Sequence, residues 1–523
     1  MTGCSTLLLA SAFVLPLLIT SAAAVNVTVP LSPPSNAQKL SSTLVSFSIE
    51  QDRWPDWTGT DSRNEFTHAA LTTLASLTGT PPKIRVGANS EDHTTWSPTV
   101  TIEQDAFPPP NSITPFPEAS TITVGDAYYQ LSRFLPFGTH MVWGVNFGLD
   151  NATNAGNMAR SIVQAFKSAA VLAAGVVLDR IEIGNEADLY SNNGLRAKNY
   201  SVNDYVPDWI NIASAAVSAA GISGSSGPVS VQGAAFANQG FTPRQIFNLG
   251  ILDSAPGKAI SVISQHHYSA AFCNGGDFPL VSFMNKATIR SNLSIFTADI
   301  AATHAQGMPY ILGETNSIAC HGAPGVSNTA GITLWAIDYT LQAATLGISE
   351  AFFHEGIGYK YNWIQPIALN RSIVDGSPID PPTPPHVQPA FYAGLVINTL
   401  VGTTGAAQIV ELAVGNANVT GYAAFEAGAL RRAVFVNLGA WLGSSVGARP
   451  SVHVDLAFGG ETAGRASARR LVIQHADDTA NLTWAGQSFE TADVTPAGEV
   501  VTEDVVLSEG LDLRSTEAVL ITF

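Results

Sequence analysis

Between residues 43 and 401 the chain repeats one kind of unit eight times, and that repetition constrains its fold more than any other feature. Short runs rich in β-branched and aromatic residues fall at 44–49, 83–86, 141–147, 180–184, 229–233, 260–265, 310–313 and 349–354. Amphipathic, Ala- and Leu-rich stretches at 66–77, 155–174, 205–220 and 330–346 lie between them with helical spacing. Strand–helix repeats of this number and length predict an α/β chain with a (β/α)8 TIM barrel. The strands are nearly continuous in apolar residues, as parallel strands covered on both faces must be.

Beyond residue 402 the pattern changes. Gly-punctuated strand runs at 419–425, 433–436, 452–456, 470–474 and 518–523 recur without helices, which predicts an appended all-β sandwich over 402–523. The segment 25–42 opens Val25-Asn26-Val27-Thr28-Val29, an alternation expected to add a strand to that sandwich. A Pro-rich excursion at 89–123 follows the second barrel strand, and a connection that long is expected to wall a cleft. With 523 residues, 46% of them hydrophobic and 12% charged, the chain can bury two sizeable cores.

Residues 1–24 hold an apolar stretch followed by Ser21-Ala22-Ala23-Ala24, which reads as a cleaved signal peptide despite the absence of an early Lys or Arg. A secreted, extracellular protein is expected. Seven Asn-x-Ser/Thr sites, at Asn26, Asn151, Asn199, Asn292, Asn370, Asn418 and Asn481, fit that route and would carry N-linked glycans. Outside the leader only Cys273 and Cys320 remain: a disulfide in an oxidising compartment, or two buried thiols. The net charge of −17, with basic residues scattered, argues against nucleic acid and anionic membranes as partners.

Barrel enzymes place their chemistry at the C-terminal ends of the strands. The fourth strand runs into Gly184-Asn185-Glu186 and the seventh into Gly313-Glu314-Thr315. Two carboxylates on separate strand ends can face each other across the barrel mouth, as retaining glycoside hydrolysis requires. The sixth ends Gln265-His266-His267-Tyr268, and a phenol at Tyr268 is suited to orient the nucleophile. His266 and His267 do not make a metal site, because adjacent strand residues point to opposite faces. No nucleophile elbow, dinucleotide fingerprint, Walker loop or His-Glu-x-x-His is present, and no cofactor or metal is implied.

These residues give the chain its resemblance to a known group. Asn185-Glu186, with Glu314 on strand seven, resembles the clan of (β/α)8 retaining glycosidases. The segments 312–317, Gly322-Ala323-Pro324 and 352–361 make it most similar to glycoside hydrolase family 79, the β-glucuronidase and heparanase family. The resemblance implies Glu186 as acid/base, Glu314 as nucleophile and Asn185 at the sugar 2-hydroxyl. It also implies Glu50 and Asp92 at other sugar hydroxyls. It places uronate recognition at Gly356-Ile357-Gly358-Tyr359-Lys360-Tyr361, with Tyr359, Tyr361 and Lys360 as candidates, aided by backbone amides of residues 320–322. The implied activity is an exo-β-glucuronidase releasing terminal glucuronic acid, or its 4-O-methyl form, from a carbohydrate substrate. A heparanase-like endo-enzyme fits less well, because 24 basic residues against 41 acidic leave no basic track for a polyanion. An inactive carbohydrate-binding barrel is the remaining alternative.

Overall fold

A computed structural model describes residues 23–523 apart from 238 and 460–463. Most of the expected signal peptide, residues 1–22, lies outside the described residues, whereas Ala23 and Ala24 begin the first strand, Ala23–Val29.

Eight parallel strands close a barrel: β1 Val45–Glu50, β2 Ile84–Gly87, β3 His140–Val145, β4 Val177–Ile183, β5 Ser230–Phe236, β6 Ile260–Ala271, β7 Tyr310–Ala319 and β8 Ile348–Glu355. Each pairs with its neighbours in sequence, and β8 returns to β1 through Phe353↔Phe47 and His354↔Ser48. Helices between the strands start where side chains can satisfy the free amides of the first turn. Asn64 accepts from Thr67 N and opens Glu65–Thr78, while Asn151 accepts from Asn154 N and opens Ala152–Phe166. The first of these stops at Gly79, whose φ of 75° suits glycine.

β6 and β7 run on past the ends read from the sequence. They stay paired through His267↔Thr315, Tyr268↔Asn316 and Ala270↔Ile318, forming a ribbon that rises beside the barrel mouth. Period-two alternation decides what each face presents. His266 and Tyr268 turn inward, whereas His267 turns out and meets Tyr339 Oη at 2.8 Å.

The Pro-rich excursion folds into a small sheet of Thr94–Trp96, Glu103–Ala106 and Thr121–Val124. From there it reaches across the mouth. Asp52 accepts from Ala119 N at 2.6 Å, Arg53 donates to Pro117 O at 3.1 Å, and Lys360 donates to Ile113 O at 3.2 Å.

The C-terminal region is a β-sandwich of one eight-stranded and one three-stranded sheet. The N-terminal segment enters both. Ala23–Val29 pairs in parallel with Ser451–Phe458, and Gln38–Lys39 pairs with Gln408–Glu411. The helix Ala330–Thr345, read from the sequence as amphipathic, is buried over nearly its whole length, its polar Asp338 meeting Tyr422 of the sandwich at 2.6 Å. Arg290 knits barrel to sandwich, donating to Glu411 at 2.8 Å, Thr420 at 2.9 Å and Tyr422 at 2.9 Å while pairing with Asp338.

Candidate active site

Glu186 follows β4 on a tight turn. Gly184, at φ 79°, has no room for a side chain, because a Cβ there would lie 2.6 Å from Phe147 Cβ. Glu186 itself sits at φ 53°, left-handed backbone that costs a residue with a Cβ about 1 kcal/mol or more. Its amide donates to Ala235 O at 2.8 Å, which fixes the turn and aims the carboxyl at the barrel axis. Glu314 stands within β7, beside the β6–β7 register shift at Gln265/His266. Donor atoms of Glu186, His266 and Glu314 all lie within 4.8 Å of one another.

The two carboxyls have opposite surroundings. Burial pushes Glu186 up to about 8, and the Glu314 charge adds to the effect. Burial would raise Glu314 as well, but His354, His266 where it is charged, Arg85 and the Tyr268 phenol outweigh it and hold the carboxyl at about 2. Tyr268 donates to Glu314 Oε1 at 2.7 Å and Arg85 Nη1 to Oε2 at 2.8 Å. His266 Nδ1 lies 2.9 Å from Glu186 Oε1, and burial lowers this histidine to about 4, so it meets Glu186 as a neutral ring.

Arg85 organises the floor. It is fully buried on β2 and donates to Glu182 Oε1 at 2.7 Å, Ser48 Oγ at 2.8 Å and Asn185 Oδ1 at 2.8 Å, besides Glu314. Asn185 is thereby oriented next to Glu186, with its Nδ2 directed to Asn89 Oδ1 at 3.4 Å. Glu91 is buried under the same guanidinium, 3.9 Å from Nη2, and fills space that exists because residues 87 and 144 are glycines.

Of the expected binding residues, Asp92 is used differently, and Glu50 and Lys360 have protein partners of their own. Asp92 is buried, and its oxygens accept from Phe147 N at 3.0 Å, Gly148 N at 2.8 Å, Asn185 N at 3.2 Å and Tyr190 Oη at 2.6 Å. With its acceptor capacity spent on the turns after β3 and β4, it braces Asn185 instead of meeting a sugar hydroxyl. Glu50 is also buried, held by Ser90 Oγ and by Ser90 N at 3.2 Å, with His354 Nε2 3.3 Å from its Oε1. Lys360 turns its ammonium to Ile113 O, over the Phe272 ring, so it anchors the excursion.

Tyr359 and Tyr361 both reach the site wall. Tyr359 stacks on His321 with centroids 3.8 Å apart and points its hydroxyl to Glu118 Oε1 at 3.4 Å. Tyr361 lies 6.2 Å from the Tyr268 ring, and the charge of Glu314 reaches its phenol. A disulfide joins Cys273 and Cys320, Cα atoms 5.0 Å apart, and ties the ends of the β6–β7 ribbon. It adjoins two left-handed residues, Cys320 at φ 60° and His321 at φ 71°.

Sequence reading missed Arg85, Glu182, Glu118, His321 and His354. Arg85 and Glu182 had a signal, as charged residues inside otherwise apolar strands, where an unpaired charge is too costly to bury. Glu118 had none, since it lies within the excursion and reaches His321 Nε2, at 2.9 Å, only through the tertiary fold.

Chemically, the site pairs a proton-bearing carboxyl with an ionised one across a gap the size of a reacting carbon. The Glu186, His266 and Glu314 donors also have a spacing that suits a divalent cation. Arg85 already neutralises Glu314, however, and a protonated Glu186 offers no charge, so proton transfer suits the arrangement better.

Known proteins agree with this architecture. The model for the glycosyl hydrolase family 79 C-terminal beta domain matches residues 421–520. A beta-glucuronidase of Aspergillus niger is 29% identical over 470 residues, 85% of this chain and 82% of the relative. A beta-glucuronidase of Neurospora crassa is 26% identical over 511 residues, 89% of this chain and 87% of the relative. Among solved structures, a 4-O-alpha-L-rhamnosyl-beta-D-glucuronidase from Fusarium oxysporum superposes with a TM-score of 0.79 at 22% identity, covering 95% of this chain and 100% of that one. A family 51 arabinofuranosidase from Xanthomonas axonopodis shares the fold at a TM-score of 0.60 and 14% identity, over 95% and 99% of the two chains. With its closed barrel, appended sandwich and paired glutamates, the chain is similar along most of its length to beta-glucuronidases and carries the C-terminal beta domain of glycoside hydrolase family 79.

Proposed function

We propose that the protein is a retaining β-glucuronidase in which Glu314 attacks the anomeric carbon and Glu186 serves as acid, then base. The approach of Glu186 to within 4.8 Å of Glu314 carries this reading, because retaining pairs stand about 5–5.5 Å apart and inverting pairs about 6.5–9.5 Å. Glu186 gives its proton to the leaving oxygen while the Glu314 carboxylate forms the glycosyl ester. Glu186, now charged, then takes a proton from the water that hydrolyses that ester. The neutral His266 ring receives or returns a hydrogen bond in either state. Asn185, oriented by Arg85, supplies an amide to the sugar 2-hydroxyl, where the bond strengthens as the oxocarbenium character grows.

The substrate is a β-glucuronide, as the names of the two curated relatives suggest. Terminal attack is favoured by the excursion, which spans the mouth from β1 to the loops after β7 and β8. The uronate carboxylate is received by the Tyr361 phenol and by amides near residue 321, and 4-O-methyl glucuronate is accepted beside the unmodified sugar. The protein is secreted and N-glycosylated; six of the seven acceptor asparagines are exposed and Asn292 is half-buried. Among the described residues no helix is long and apolar enough to cross a membrane. The test is hydrolysis of p-nitrophenyl β-glucuronide against the matching glucoside. A preference for the glucuronide of about 100-fold or more is expected, and equal rates, or none, would refute the reading.

A further inference from the structure

Among the buried ionisable groups that glycosyl transfer as described above does not use are His354 at the end of β8 and Glu50 at the end of β1. We propose that His354, seated on Glu50, is a positioning residue that holds a positive charge beside Glu314 and so keeps the nucleophile ionised in acid. The proposal rests on Glu314 being the nucleophile.

The barrel closes at this point, since β8 and β1 pair through His354↔Ser48. That pairing puts the imidazole between the two carboxyls. Its Nδ1 lies 3.3 Å from Ser48 Oγ and 4.0 Å from Glu314 Oε2, and its Nε2 lies 3.3 Å from Glu50 Oε1. The carboxyls whose charge couples to the ring or its partners are Glu314, Glu50, Glu118 and Glu186, against the cation Arg85 and the rings of His321 and His266, the last 4.0 Å from Glu314 Oε2 and charged only below about pH 4. The rings of Tyr359 and Tyr361, 6.0 and 6.2 Å away, complete the enclosure, and burial keeps both phenols protonated.

Burial opposes a charged imidazole here, but Glu314 and Glu50 outweigh it and raise His354 to about 9. Glu50 is itself raised to about 7, by burial first and then by Glu118. Below that pH Glu50 carries a proton and no longer screens His354 from Glu314. The positive charge is therefore strongest in acid, where the nucleophile most needs it. Arg85 does not make it redundant, because the guanidinium is shared with Glu182 and Asn185.

The test is kcat/KM against pH for the wild type and His354→Gln on p-nitrophenyl β-glucuronide, whose leaving group asks little of Glu186. Glutamine can keep a hydrogen bond to Ser48 or Glu50 but carries no charge. An opposite charge about 4–6 Å from a carboxylate lowers its pKa by about 1–3 units, so the acid limb should move to higher pH by about that much. Turnover at pH 3 should fall by about 2- to 100-fold while the neutral plateau falls less. An acid limb that stays in place overturns the proposal. If the variant does not fold, nitrogen NMR of histidine-labelled wild type decides. A buried imidazole protonated on both nitrogens at pH 7 supports the proposal, and buried imidazoles that are all neutral at pH 7 overturn it. Glu314→Gln separates the two levels. Retained turnover there refutes the nucleophile assignment itself, whereas a dead Glu314→Gln with an unmoved acid limb in His354→Gln refutes the role of His354 alone.

Discussion

Arg85 Nη1 and Glu314 Oε2 stand 2.8 Å apart, the guanidinium fully buried and the carboxylate nearly so. The same guanidinium holds Glu182 and Asn185, so one side chain links strands two, four and seven of the barrel beneath the reacting groups. Lysine cannot reproduce that fork of donors. Arg85→Lys is therefore expected to lower kcat/KM by about 100-fold. Arg85→Ala leaves buried carboxylates unpaired and should destabilise by about 3–5 kcal/mol. Steady-state kinetics and urea unfolding check both; a kinetically silent Arg85→Lys would remove Arg85 from the site.

The two carboxyls should give the pH profile opposite limbs. Glu314, depressed to about 2, is in its working charged form above that pH and loses it as pH falls through about 2. Glu186, raised to about 8, holds its proton below that pH and loses it as pH rises through about 8. Activity should be broad through the acid range and fall in alkali. In Glu186→Ala the alkaline limb should vanish, and substrates with poor leaving groups should lose far more than activated ones. An unchanged alkaline limb in that variant would reassign the acid.

Uronate selectivity should divide the two tyrosines. The Tyr359 hydroxyl is directed to Glu118, an anion that would repel a second carboxylate, whereas the Tyr361 phenol lies within reach of the Glu314 charge. A charge-assisted hydrogen bond contributes about 1.5–3 kcal/mol, so Tyr361→Phe should lower kcat/KM on glucuronides by about 10- to 100-fold. The matching glucoside should lose much less. Parallel losses on both substrates would locate the carboxylate pocket elsewhere.

Breaking the Cys273–Cys320 bridge should act on stability and on the pocket together. The bridge spans 47 residues, and closing a loop of that size in the unfolded chain stabilises by about 2–4 kcal/mol. It also holds the left-handed pair Cys320–His321 that carries the Glu118 contact. A Cys273→Ser, Cys320→Ser double variant should unfold at lower temperature with a raised KM and a nearly unchanged kcat. An unchanged melting temperature would show that the bridge does not constrain the chain.

The barrel and the two facing glutamates were legible because they obey local rules. Strand periodicity places the eight barrel strands to within a few residues, and chemistry at strand ends singles out Glu186 and Glu314. The supporting groups obey long-range ones. Asp92 follows a strand, as a sugar ligand would, yet its partners Phe147, Gly148 and Tyr190 come from segments far along the chain. Lys360 lies between two tyrosines that face the pocket, and only the excursion's carbonyl at Ile113 turns it away. Glu118 emerges from a Pro-rich stretch whose sheet no periodicity announces.

The central claim is that Glu186 and Glu314 stand close enough for double displacement. The most direct test is the anomeric form of the first glucuronic acid released, followed by proton NMR before mutarotation sets in. Retention predicts that the β-anomer appears first and the α-anomer grows only later. An α-anomer in the earliest spectra would mean that water, and not Glu314, attacks the sugar.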